Sequence, residues 1–162
     1  MTNGRDFVRK NEKPLLIAGL RESYASSNEG IPAQWQRFAP HIGKVPGQLG
    51  NVAYGVVIEE DEGYAYLTGV GVHDIAHLPA GFSHLDLPAR SYYVFSHEGH
   101  VSTLFETISR IMSDILPTLP DVAPPRRGEV GFLERYGENF DPAAGLGDIE
   151  IWVPAQGQLE AK

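Results

Sequence analysis

The sequence predicts an α+β fold in which two β-rich modules, each with one helix, share an antiparallel sheet with the helices on one face. Glycine and proline, 18 and 12 of the 162 residues, divide the chain into short segments. Two segments carry the period of an amphipathic helix, and two extended apolar runs flank each of them on either side. The halves, about residues 5–75 and 80–155, therefore follow one strand–strand–helix–strand–strand order. This repeat indicates a pseudo-two-fold arrangement within a single domain, residues 1–162.

The first half contains a helix between extended segments. Its predicted strands are 15–20, 52–58 and 64–72, after a short extended run at 7–10. Pro32 suits the first turn of a helix because its missing N–H needs no partner there, and Pro40 is expected to end or bend that helix. The polar turn 59–63 joins the last two strands and predicts a hairpin. The helical face is formed by Ile31, Trp35, Phe38 and Ile42, at spacings of four, three and four.

The second half repeats this order around a longer helix. Its predicted strands are 82–87, 91–97, 130–136 and 148–153. Residues 101–116 keep the helical period for more than four turns. Ser102 or Thr103 is the expected N-cap, with Glu106 completing a capping box. Pro117 is expected to end the helix, because proline cannot continue the backbone hydrogen bonds.

Composition and charge exclude several classes of function. The chain has 13 Lys and Arg against 21 Asp and Glu, a net charge of −8, which opposes binding to phosphate backbones. We therefore expect no direct nucleic-acid binding. The absence of cysteine excludes disulfides and thiolate metal sites. A polar N-terminal segment and the lack of an apolar run of ~18 residues predict no signal peptide, no membrane span and a cytoplasmic location.

Two pairs of histidines are the candidates for a metal site. His73 and His77 have the spacing that aims two imidazoles at one metal on a helix, yet residues 74–79 read as a loop. His97 and His100 lie at a strand-to-helix junction, where ring nitrogens satisfy exposed backbone groups. We therefore expect neither a metal nor a cofactor.

Aromatic side chains gather on the strand face that is predicted to point away from the helices. Ile149, Ile151 and Val153 are expected to pack on the helices, so the residues between them point the other way. Aromatic rings beside a carboxylate suit a flat organic cation, through stacking and cation–π contact. The alternative is that the rings form cross-strand pairs that stabilise the sheet. The predicted face carries Tyr54, Tyr64 or Tyr66, Phe132, Glu134, Tyr136, Glu150 and Trp152.

A series of short motifs resembles the GyrI-like effector-binding family, the ligand domain of AraC- and MerR-type transcription regulators and of free-standing proteins. The motifs are IPAQWQRF at 31–38, YGV at 54–56, LPAG at 78–81, FSHEGH at 95–100, FLERY at 132–136, NFDP at 139–142 and IEIWVP at 149–154. They follow the family's order from about residue 7 to residue 154. Each motif alone is loose, and the series is fairly specific.

The resemblance implies two β-α-β-β modules in pseudo-two-fold array, with a ligand cleft lined by aromatic residues around a glutamate. Family members usually read Phe-Glu-Arg-Tyr, whereas this chain reads Phe-Leu-Glu-Arg-Tyr. Glu134 lies eight residues before Pro142 and is taken as the matching glutamate. The candidate ligand-binding residues are Trp35, Tyr54, Tyr64, Tyr66, Phe132, Glu134, Tyr136 and Trp152.

The function expected from these residues and the resemblance is binding of an aromatic small molecule that is cationic or amphipathic, in drug sensing, sequestration or detoxification. One alternative is a hydrolase of reactive compounds with strained cyclopropane rings, in which Glu134 activates water and Tyr54 or Tyr66 polarises the carbonyl. Another is a protein-interaction module like the gyrase-inhibitory relatives. The first strand starts too early to leave room for a helix-turn-helix, so a stand-alone protein is expected. A monomer is favoured over a weak homodimer through an edge strand.

Overall fold

The computed structural model describes residues 7–156; residues 5 and 6 of the predicted first half lie outside this range. The strands are β1 Phe7–Glu12, β2 Leu15–Tyr24, β3 Gln48–Glu59, β4 Tyr64–Val72, β5 Ser83–Leu87, β6 Arg90–His97, β7 Val130–Tyr136 and β8 Ile149–Pro154. The α-helices are α1 Ile31–Phe38 and α2 Leu104–Arg110. The strands form one antiparallel sheet in the order β1-β6-β8-β7-β3-β4-β2-β5. The α+β class and the β3–β4 hairpin are confirmed.

The helices follow the predicted positions, with one correction. α1 ends at Phe38, and Pro40 lies in the 3₁₀ turn that follows. The second helical segment combines a 3₁₀ turn, α2, a π-helical turn over Ile111–Ile115 and a final 3₁₀ turn. The predicted capping box is wrong, because the Thr103 hydroxyl donates to the carbonyl of His100 instead of accepting from the helix. The initial 3₁₀ turn places His100 at the cap, where its Nδ1 accepts from the Ser102 amide.

The chain connections require the sheet to curl. In the sheet order β1 and β2 are six strands apart, which in a flat sheet would separate them by about 29 Å. Only residues 13 and 14 join them, a link that spans at most about 11 Å. The connection between β5 and β6, residues 88 and 89, imposes the same condition on the other edge. The sheet therefore has an inner face, enclosed by the curl, and an outer face.

Two hydrophobic clusters lie on the two faces. The outer core contains Ile149, Ile151 and Val153 packed with Leu104 and Ile108 of α2, as strand alternation predicted. The buried members of the inner core all come from strands of both halves and include Ile17, Tyr54, Val56, Leu87, Tyr92, Leu133 and Trp152. The helices therefore cover the outer face, while the curled sheet buries its own inner face.

The prediction that Glu134 faces away from the helices is wrong. Residues paired across an antiparallel ladder share a face, and Glu134 pairs with Ile151, whereas Leu133 pairs with Trp152. Glu134 and Tyr136 therefore lie on the outer face with the helices, and Trp152 lies inside. The alternation within each strand was predicted correctly. The register between strands, which alternation does not contain, decides which alternating sets share a face.

The strand order has an internal symmetry. Each half contributes strand, strand, helix, strand, strand, and exchanging β1 with β5, β2 with β6, β3 with β7 and β4 with β8 reverses the sheet order. This is the order that a pseudo-two-fold repeat requires, and the repeat itself stays a prediction. Within residues 7–156, no helix has the length and apolar character needed to cross a membrane.

Candidate functional site

A buried carboxylate with two tyrosine donors lies on the outer face of the sheet. Glu134 of β7 is 7% exposed. Its Oε1 accepts hydrogen bonds from the hydroxyls of Tyr66 at 2.5 Å and Tyr136 at 2.9 Å. Trp35 of α1 donates from its indole to the Tyr66 hydroxyl at 3.0 Å and packs edge-on against Tyr136, with ring centroids 5.3 Å apart. We call Trp35, Tyr66, Glu134 and Tyr136 the Glu134 cluster.

A glycine in the central strand pair makes room for this cluster. Gly55 of β3 pairs with Glu134, and a Cβ at Gly55 would lie 2.0 Å from the Tyr66 hydroxyl and 2.7 Å from Glu134 Oε1. Those distances are far below van der Waals contact. Only glycine therefore allows the Tyr66 side chain to cross β3 and reach the carboxylate.

Within the cluster, Glu134 has an unusually high pKa for a carboxyl group. Burial raises the pKa of Glu134 from 4.5 to about 7, and the hydrogen bonds from Tyr66 and Tyr136 oppose part of that rise. No Lys, Arg or His of residues 7–156 forms an ion pair with Glu134, and its Oε2 accepts no hydrogen bond from them. Burial and the neighbouring carboxylate raise the pKa of both tyrosines well above 10, so they are neutral donors at pH 7.

Helix α1 is fastened over the cluster by a buried glutamine. Gln34 is fully buried, and its amide nitrogen donates to the carbonyl oxygens of Leu20 at 2.9 Å and Tyr66 at 2.8 Å. Its carbonyl accepts from the Tyr24 hydroxyl at 2.6 Å. These bonds fix the helix by side-chain contacts to β2 and β4, which places the adjacent Trp35 on the two tyrosines.

The predicted site residues divide between the two faces. Trp35, Tyr66 and Tyr136 contact one another or Glu134, as described. Phe132 lies on the same outer face and packs against the outer core. Tyr64 donates to the carbonyl of Ser27 at 2.8 Å and contacts the ring of Tyr24, so it holds the segment before α1. Its hydroxyl does not donate to Glu134, although burial and the charges of Tyr24 and Glu134 raise its pKa.

Tyr54 and Trp152 do not belong to the Glu134 cluster. Both are in the inner core, on the opposite side of the sheet. Tyr54 is therefore excluded as the tyrosine that would polarise a carbonyl beside Glu134, and Tyr66 is retained. Sequence reasoning missed Gln34 and Gly55, because apolar periodicity does not reveal a buried amide and motif matching does not reveal why a glycine is needed.

His73, His97 and His100 of the two candidate pairs take part in local contacts. Both ring nitrogens of the buried His97 are used, at 2.7 Å from the Thr107 hydroxyl and 3.0 Å from the carbonyl of His100. His73 lies 2.9 Å from the Asp74 carboxylate. Among residues 7–156, no group of three His, Asp or Glu side chains is arranged to hold a metal ion.

Comparison with known proteins identifies the domain to which this cluster belongs. The model of the GyrI-like small molecule binding domain matches residues 7–156. The chain belongs to the GyrI-like family. A curated relative is the transcriptional regulator BrlR of Pseudomonas aeruginosa, 27% identical over 147 residues that cover 88% of this chain and 53% of the relative. The GyrI-like chain thus spans about half the length of that regulator.

Solved structures share the GyrI-like fold. SAV2435 bound to tetraphenylphosphonium matches with a TM-score of 0.77 at 20% identity, over 94% of both chains. The C-terminal domain of EcmrR matches with a TM-score of 0.66 at 13% identity, over 94% of this chain and 98% of that one. At these identities the likeness establishes the α+β fold.

Proposed function

We propose that this GyrI-like domain binds aromatic, cationic or amphipathic organic molecules at the Glu134 cluster. The observation that carries the proposal is a buried carboxyl that has aromatic neighbours, two neutral donors and no cationic partner within residues 7–156. An organic cation supplies the missing charge. The surrounding rings supply cation–π contacts of about 0.5–2 kcal/mol each.

Ligand entry requires a local movement of the Trp35 side chain. Glu134 is 7% exposed, and the indole of Trp35 contacts both tyrosines that donate hydrogen bonds to Glu134. Gln34 holds α1 itself to β2 and β4, so the side chain of Trp35 is the part that moves. Rotation of Trp35 would break the indole hydrogen bond to Tyr66 and open the carboxylate to a flat ring. The ligand then replaces the indole on the aromatic surface.

The neighbouring structures support this ligand class. SAV2435 holds tetraphenylphosphonium, a cation with four aromatic rings, in a domain of the same fold. The symmetric strand order further supports two modules related by a pseudo-two-fold axis within one effector-binding domain. BrlR indicates that such a domain occurs in a transcriptional regulator, and a regulatory or protective role for the bound molecule is part of the proposal.

The pKa of Glu134 gives the proposal a quantitative test. If the cation binds the ionised carboxyl, affinity falls as the pH drops below about 7, because protonation removes the competent form. At pH 5 about 1% of the carboxyl is ionised for that pKa, so the Kd for tetraphenylphosphonium should be about a hundredfold weaker than at pH 8.

The experiment is isothermal titration calorimetry with tetraphenylphosphonium and the neutral triphenylphosphine oxide at pH 5 and pH 8. Wild type should prefer the cation and show the pH dependence, and Glu134→Gln should lose both. Glu62→Gln is the matched control, since it removes an exposed carboxylate from the β3–β4 turn. Equal affinity for the cation and the neutral compound, or an unchanged cation affinity in Glu134→Gln, would contradict the proposal.

A second candidate function, hydrolysis, is favoured by the same pKa. A general base works best when its pKa is near the working pH, and Glu134 has a pKa of about 7. In this reaction Glu134 takes a proton from a water molecule whose oxygen bonds to a carbon of the cyclopropane ring. A ring C–C bond breaks, its electron pair passes to the conjugated carbonyl oxygen, and that oxygen accepts a hydrogen bond from Tyr66 and then a proton, while Glu134 returns its own proton to solvent. Product analysis with cyclopropane-containing compounds decides it: turnover that rises through pH 7 and is lost in Glu134→Gln supports hydrolysis, whereas binding without product leaves the binding function alone.

A further inference from the structure

A cavity lies on the inner face, on the side of the sheet opposite the Glu134 cluster. Its volume is about 260 Å³. It opens at the end of the curled sheet where the short connection from β1 to β2 crosses between the two edges. We call it the inner cavity, and it is lined by Lys10, Glu12, Lys13, Pro14, Leu15, Tyr54, Tyr92, Arg135, Glu150 and Trp152.

Three aromatic side chains form the floor of the inner cavity. Tyr54, Tyr92 and Trp152 are 8%, 3% and 5% exposed, and the rings of Tyr92 and Trp152 lie 5.2 Å apart. Burial raises the pKa of Tyr92 to about 12, so its phenol is neutral at pH 7. The Tyr92 hydroxyl has no hydrogen-bond partner among the residues that the structure describes. The guanidinium groups of Arg90 and Arg135 lie over the faces of Tyr92 and Trp152, 5.9 Å from each ring centroid. The floor thus offers ring edges and an unused donor to the cavity.

The charges around the floor do not cancel. Arg135 lies 3.7 Å from Glu150, which also accepts the indole N–H of Trp152 at 3.0 Å, so these two charges neutralise each other. Lys10 and Lys13 are exposed at the rim and form no ion pair with any residue in the range 7–156. Glu12 is the remaining carboxylate. The cavity therefore carries a net charge of +1 in a chain whose net charge is −8.

The geometry points to a second ligand site in the inner cavity, which takes a small aromatic carboxylate. The ligand ring lies against the edges of Tyr92 and Trp152 that line the cavity, and the carboxylate faces the two rim lysines. Open ends of curled and closed sheets are common places for ligand sites, since the backbone there encloses space that side chains do not fill. The volume is smaller than the pockets of drug-sized ligands, about 300–1,000 Å³, and so limits the ligand to one fused ring system. This charge preference is opposite to that of the Glu134 cluster.

Each of the two sites contains one tryptophan, whose indole NMR signal can report ligand binding there. Its two tryptophans are Trp35, in the Glu134 cluster, and Trp152, in the inner cavity. The proton–nitrogen NMR spectrum of ¹⁵N-labelled protein therefore contains two indole resonances, which Trp35→Phe and Trp152→Phe assign. Titration with 2-naphthoate should shift the Trp152 resonance in a saturable manner and leave the Trp35 resonance in place. The cation 2-naphthylmethylammonium, with the same ring, should bind the inner cavity at least about tenfold more weakly.

The rim lysines provide the variant test. Lys10→Gln combined with Lys13→Gln should weaken 2-naphthoate binding about fivefold, as expected for two exposed ion pairs. Lys44→Gln, an exposed lysine outside the cavity, should leave the affinity unchanged. An unmoved Trp152 resonance, an equal response to the cation, or an unchanged affinity in the double lysine variant would each overturn the inner site. Failure of tetraphenylphosphonium to shift the Trp35 resonance concerns the proposed function alone, so the two proposals fail separately.

Discussion

Replacing Glu134 by glutamine should remove the part of the pH dependence of the unfolding free energy that comes from the Glu134 carboxyl. The carboxyl has a pKa of about 7 in the folded protein and 4.5 as an unperturbed group, because burial disfavours its charged form. The folded state therefore holds this proton more tightly than the unfolded state. The resulting stability is fully present below pH 4.5 and is lost as the pH rises through 7.

The size of the effect follows from the shift. At about 1.4 kcal/mol per pKa unit, the change from 4.5 to about 7 corresponds to about 3 kcal/mol, of which about 2–3 kcal/mol is lost between pH 5 and pH 8. Glutamine at this position keeps an acceptor for Tyr66 and Tyr136. Its amide nitrogen takes the place of Oε2 and has no acceptor among residues 7–156, which costs about 1–3 kcal/mol at every pH.

Urea denaturation at pH 5, 6, 7 and 8 measures this difference. The free energy of unfolding of Glu134→Gln should rise relative to that of wild type by about 2–3 kcal/mol between pH 5 and pH 8, whatever the constant offset. The exposed Glu62→Gln variant should run parallel to wild type. Parallel curves for Glu134→Gln and wild type would refute a buried carboxyl with a raised pKa. A slope change of the same size in Glu62→Gln would assign the effect to the overall charge.

Three further predictions concern the packing around the cluster. Gly55→Ala should destabilise the protein by about 1–3 kcal/mol in urea denaturation, because its Cβ would overlap the Tyr66 hydroxyl. Gly71→Ala is the control: its Cβ would lie 3.7 Å from its nearest neighbour, so stability should change by less than about 1 kcal/mol. Gln34→Ala should destabilise by about 2–3 kcal/mol and speed hydrogen exchange of the α1 amides, since it removes the hydrogen bonds that fasten the helix; unchanged exchange would contradict that role. Tyr66→Phe should raise the pKa of Glu134 further, because the lost hydrogen bond stabilises the ionised form, and carbon-13 NMR of the carboxyl measures it.

Much of the secondary structure was predictable because it depends on neighbours in the sequence. The apolar spacing from Ile31 and the placement of Pro32 and Pro40 predicted helix α1, which begins at Ile31 and ends at Phe38. Strand alternation correctly assigned Ile149 and Ile151 to the helix-covered side. The capping box failed because a 3₁₀ turn precedes α2, and the sequence pattern of a cap does not distinguish the two kinds of turn.

The division of the aromatic residues into two groups was decided by tertiary structure. The sequence by itself proposed Glu134 and its rings as candidates, since each is a matter of residue type, motif and local alternation. Whether Glu134 shares a face with Trp152 or with Ile151 depends on which residues pair between β7 and β8, and a shift of one residue exchanges the two sets. The curl of the sheet then separates the sets into different environments, one beneath α1 and one inside. Both depend on contacts between residues far apart in the chain, which no local pattern records.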